Sequence, residues 1–147
     1  MTASPTAPFG ERVDQLLELN WPTDQGIAAR LGLTEAQAAQ TLPQWRAQGV
    51  LLGCWDPRSE VFRYPPYQFD DAGQVRPEAV ALLAVLTHHP VFEPAQDPSG
   101  WQKVVWLYTP TTALADEDGH PQSPAARLWH DPLAVLGFIQ AELDGSA

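Results

Sequence analysis

Apolar residues recur at helical spacing in the first third of the chain. Val13, Leu16, Leu17 and Leu19 share one face and predict a helix over about 10–19, ended by Trp21-Pro22. Thr23 is placed to cap a second helix, with Ile27, Ala28 and Leu31 as its inner face. Gly32 stands where a helix needs a left-handed residue after its end, and Leu33 follows. Thr34 can then cap a third helix, and Gln37, three residues on, has capping-box spacing. Ala38, Leu42 and Trp45 mark the buried side of that helix and Gly49 closes it. Pro43 inside it removes a hydrogen bond to the Ala39 carbonyl and predicts a kink or break. The pattern then changes period. Val50–Trp55 and Val61–Tyr64 are β-prone runs around an Asp56-Pro57 turn and read as a hairpin.

Beyond Tyr64 the apolar pattern is helical again but broken by proline. Tyr64-Pro65-Pro66-Tyr67-Gln68-Phe69-Asp70 reads as a rigid aromatic connector. Pro77 opens a helix near 77–88 through Val80, Leu83 and Leu86. Ser99 is the expected cap of the next helix, whose inner face is Trp101, Val104, Val105 and Tyr108. Thr109-Pro110 ends it before a short turn holding Leu114, and Asp116-Glu117-Asp118-Gly119 forms an exposed acidic loop. Ser123-Pro124 and Asp131-Pro132 are two cap-then-proline pairs. They open a short helix with Leu128 and Trp129, and a last helix with Leu133, Leu136, Ile139 and Leu143 inward.

These elements predict a mainly α protein: a helix-turn-helix with a β-hairpin wing, then an all-α back half. The expected divisions are a disordered start over 1–8, a winged module over 9–64, a connector over 65–76 and a helical unit over 77–147, fraying from 144.

Charge sharpens the division. The chain of 147 residues carries a net charge of −10. Residues 21–69 balance four arginines against four carboxylates, whereas residues 70–147 set eleven carboxylates against Arg76, Lys103 and Arg127, a balance of −8. The back half is therefore expected to repel nucleic acid and attract a basic partner. In the front half, Thr34, Gln37, Gln40, Gln44 and Arg46 are the candidate DNA contacts on the third helix. Arg58 at the hairpin tip and Arg63 on its outer face are candidates for phosphate. A neutral module is a weak DNA binder on its own, so the rival reading is a packing or dimerisation platform.

No constellation for chemistry emerges. His88-His89 is adjacent rather than at ligand spacing and reads as a helix end, and His120 and His130 lie in proline-rich loops. There is no phosphate-cradling glycine loop, GxSxG or HExxH. The single cysteine, Cys54, falls in a predicted strand and reads as a small core residue. Neither a metal nor a cofactor is expected, and the chain reads as a binding protein rather than an enzyme. With one cysteine, no secretory start and no apolar run of about 18–20 residues, a cytoplasmic protein without membrane association is expected.

Three stretches carry a resemblance: "YPPYQFDDAGQVRPEAVALLAVL", "GWQKVVWLYTPTTAL" and "SPAARLWHDPLAVLGFIQAEL". Together they resemble the toxin-binding domain of the Xre/MbcA/ParS antitoxin family, over about residues 27–143, with "YPPYQF" the most specific piece. The chain departs from the family where a glycine often follows the Pro-x-x-x-Leu turn, since Trp129-His130-Asp131 stands there. The resemblance implies a helical domain that binds a cognate toxin, commonly an NAD-consuming RES-domain enzyme, together with homo-oligomers and autorepression at operator DNA. On this reading the partner-facing residues are Trp129, His130, Asp131, Phe138 and Gln140. The alternatives are a free-standing winged helix-turn-helix regulator and an oligomerising adaptor without DNA binding.

Overall fold

The computed structural model describes residues 6–145 except residue 94. Most of the segment 1–8, and residues 146–147 of the segment expected to fray, lie outside the described residues. The chain is mainly helical, with one two-stranded antiparallel sheet among the described residues. In order come α1 (Phe9–Leu17), α2 (Asp24–Leu31), α3 (Glu35–Ala47), β1 (Cys54–Asp56) and β2 (Val61–Arg63). Then follow α4 (Pro77–Thr87), α5 (Trp101–Leu107), α6 (Pro124–Arg127) and α7 (Pro132–Gly145), with single 3-10 turns at Pro66–Gln68, Pro90–Phe92 and Thr112–Leu114.

Local chemistry explains the front elements. Gly32 ends α2 at φ 70°, a left-handed conformation that a side chain would disfavour. Thr34 and Gln37 close a reciprocal capping box on α3, with bonds of 3.1 and 2.9 Å. Thr23 precedes α2 but makes no side-chain cap bond, and pairs by its backbone with Arg63 instead. Of the kink or break expected at Pro43, the break does not occur, and α3 is continuous from Glu35 to Ala47. Ala39 and Pro43 are both exposed, so solvent can take the carbonyl that proline leaves unpaired. The hairpin pairs Cys54 with Arg63, Trp55 with Phe62 and Asp56 with Val61.

In the back half the two proline-opened helices form as expected. The Ser123 hydroxyl accepts from the Ala126 amide at 3.2 Å, and Asp131 Oδ1 accepts from the Ala134 amide at 3.2 Å. The cap of α5 differs from expectation. Asp97, not Ser99, receives the Gln102 and Lys103 amides, each at 3.1 Å. The Ser99 carbonyl is instead engaged by the Trp55 amide at 2.9 Å, which fastens the hairpin to the start of α5.

The apolar residues gather into two cores, and these do not separate at residue 64. The smaller holds Ile27, Ala28, Ala38, Leu42, Leu51, Tyr64 and Phe69. The larger draws Leu16 and Leu17 of α1, Trp21, Leu52 and Cys54 in with α4–α7. Helix α1, grouped by sequence with the winged module, thus packs on α5 as part of the back core. The connector joins the two. The buried Gln68 amide bonds both backbone groups of Leu52, donating to its carbonyl at 2.7 Å and accepting from its amide at 2.9 Å.

Candidate partner interface

The arginines expected to reach phosphate are engaged within the protein. The Asp56 carboxylate is fully buried and accepts from Arg63 Nε at 2.6 Å and Arg58 Nε at 3.2 Å. Arg63 also donates to the Trp21 carbonyl at 2.7 Å and Arg58 to the Leu17 carbonyl at 2.9 Å. Arg63 therefore turns inward rather than outward, because the buried carboxylate requires a partner. Arg58 hydrogen bonds hold the Asp56 carboxyl well below the usual carboxylate range. Arg46 donates to the Tyr64 hydroxyl at 2.8 Å and lies 3.8 Å over the Phe62 ring. Thr34 and Gln37 cap α3, and Gln40 and Gln44 are left on its exposed side. Among the described residues 21–69, Arg30 is the one arginine that is exposed and outside an ion pair.

The corner between α6 and α7 has a different character. Trp129 is 44 % exposed although it lies beside a buried layer. One face of its indole is covered by the Arg76 guanidinium, 3.8 Å from the ring centroid. Arg76 is itself buried and donates to the Tyr67 and Leu128 carbonyls, each at 3.1 Å. Its Nε lies 3.7 Å from the half-exposed Glu78 carboxylate. The connector, α4 and α6 thus converge on one guanidinium, which packs against the indole. Four residues along, Leu133 is 80 % exposed.

Leu133 was expected to face inward and does not. Helix α7 carries apolar residues at 133, 135, 136, 138 and 139, more than one buried stripe can take. Val135 and Ile139 fill the core and Leu133 is left outside. Leu133, Gly137 and Gln140, at i, i+4 and i+7, continue the exposed face. His130 is exposed, while Asp131 caps α7 and lies 3.8 Å from Arg127. Phe138 belongs elsewhere, half-buried and stacked on Trp106 with ring centroids 5.7 Å apart. Trp129, His130 and Gln140 are therefore exposed, whereas Asp131 is engaged as the cap of α7 and Phe138 packs on Trp106. Sequence reasoning missed Arg76, because no residue spacing signals which arginine will pass beneath the indole.

No protein-family model, curated protein or solved structure matches the chain.

Other reactive groups are tied up locally. Cys54 is fully buried, and burial pushes its thiol far above the ordinary range, away from the thiolate that chemistry requires. His88 ends α4, its ring nitrogen 2.6 Å from the Ala84 carbonyl. Ligand atoms of Asp116, Asp118 and His120 lie within 4.8 Å of one another on the acidic loop. There Asp116 Oδ1 accepts from the amides of Asp118 and His120, and those bonds, the His120 amide first, hold its carboxyl below the usual range. Turn formation accounts for that arrangement. No helix among the described residues is long and apolar enough to cross a membrane.

Proposed function

We propose that the chain is a protein-docking module without chemistry of its own, and that its back half binds and covers a cognate toxin as an antitoxin does. The observation that carries this reading is Trp129, exposed yet clamped on the buried Arg76, with Leu133 also exposed four residues along the chain. A pre-oriented, exposed aromatic has the make-up of an interface hot spot, since little rotamer entropy remains to be lost on binding. The −8 balance of residues 70–147 favours a basic partner face. An NAD-consuming RES-domain enzyme is the toxin class that the family resemblance implies, and the reading sets the pair in the cytoplasm.

The α2–Gly32–α3 arrangement and the hairpin support reading the front half as a winged helix-turn-helix. The engagement of Arg46, Arg58 and Arg63 within the protein supports a packing or dimerisation platform over operator binding. The test is co-expression with the product of the adjacent reading frame. The wild type should co-purify with it in fixed stoichiometry, and Trp129→Ala should weaken the complex by about 30-fold with folding intact. A complex indifferent to Trp129, or no complex together with a shift of upstream DNA, would overturn the reading.

A further inference from the structure

A cleft of about 360 Å³ opens between the C-terminal end of α3, the Leu51–Gly53 segment and the α4–α5 face. Its walls are largely apolar, with Leu52, Phe62, Leu83 and Pro98 among them, and its charged lining residues are Arg46, Asp97 and Lys103. The Lys103 side chain is only 7 % exposed and its Nζ donates to Asp97 Oδ2 at 3.1 Å. An ammonium has three N–H groups, and no second acceptor for Nζ is present among the described residues. Asp97 is already engaged by two backbone amides. On the opposite wall Arg46 gives Nη1 to Tyr64, while its Nε and Nη2 have no protein partner among the described residues. Two glycines let the walls of the cleft pack closely on one another. A Cβ on Gly53 would lie 2.8 Å from Arg46 Cδ, and one on Gly100 would collide with the Gly53 carbonyl oxygen.

Lys103 is paired with Asp97 and Arg46 lies 3.8 Å from Asp24, so the cleft offers an anion unused N–H donors rather than an excess of positive charge. Unused donors at the edge of an apolar cleft are where a buried polar head would gain most, because each is otherwise short of a partner. We infer that this cleft binds a small organic carboxylate, with its apolar body against Leu52, Phe62 and Leu83 and its carboxylate toward Lys103 and Arg46. The volume suits a molecule of that size. This site is separate from the Trp129 corner and does not rest on the docking reading.

The test is a titration of the full chain at neutral pH with 3-phenylpropanoate and with its neutral isostere 3-phenylpropanamide, followed by NMR at the Gly53 and Gly100 amides. The carboxylate should bind saturably and about tenfold or more tighter than the amide. Ala47→Trp, at an exposed position on the rim, should abolish the shifts. The double change Asp97→Asn with Lys103→Met, which leaves no lone buried charge, should weaken the carboxylate about tenfold and leave the amide unchanged. If that double variant fails to fold, Ala47→Trp carries the test alone. Equal affinity for the two probes, binding undiminished in Ala47→Trp, or no saturation up to roughly 10 mM would overturn the inference.

Discussion

Asp56 shows how a single side chain decides what its neighbours can do. Fully buried, it draws Arg63 inward and ties down Arg58, which stays exposed at the hairpin tip. Asp56→Asn leaves both guanidinium groups without their countercharge and should cost about 3 kcal/mol in urea unfolding. Because the folded-state pKa of Asp56 lies below its unfolded value near 4, its contribution is present at neutral pH. It is lost as pH falls below about 4 toward the folded pKa. The wild type should therefore lose stability on acidification more steeply than Asp56→Asn, which is checked by denaturation at pH 7 and pH 3. Sequence alone showed charged residues in a hairpin but not their direction. Burial of Asp56 is a tertiary fact, and alternation along a three-residue strand is too short to reveal it.

Elements were the most legible level, since caps and prolines act within a few residues. The Thr34–Gln37 box, the left-handed Gly32 and the Ser123 and Asp131 caps were all readable from spacing. Thr34→Ala should destabilise by about 1 kcal/mol in thermal unfolding. The failures at this level came from long-range partners. Ser99 lost its capping role because its carbonyl meets the hairpin, and Asp97 replaced it from farther back. Pro43 was expected to kink or break α3, and the helix is not broken because an exposed site lets the unpaired carbonyl be solvated. Pro43→Ala should restore that hydrogen bond and raise stability by about 1–3 kcal/mol, seen as a higher urea midpoint with an unchanged slope.

At the scale of the whole molecule the two halves are one packing problem. Leu16, Leu17 and Trp21 fill the same core as Leu82, Leu107, Leu128 and Ile139, and Gln68 ties the connector to Leu52. A fragment beginning at residue 65 should therefore lack a cooperative thermal transition, because removing these side chains opens a cavity worth several kcal/mol. Periodicity identified each inner face but carried no information on which faces meet. That is why α1 was grouped with the wrong core and why Leu133 was expected inside.

The account centres on the Trp129 corner as the contact surface, in preference to α3 and the hairpin. The chain's tryptophans report on these surfaces, with Trp129 at the corner, Trp45 on α3 and Trp55 on β1. The decisive measurement is an NMR titration of the indole N–H signals with the adjacent-frame protein. The Trp129 signal should shift and lose exchange with water, while those of Trp45 and Trp55 stay in place. A Trp129 signal that does not move while those of Trp45 or Trp55 respond would contradict the account.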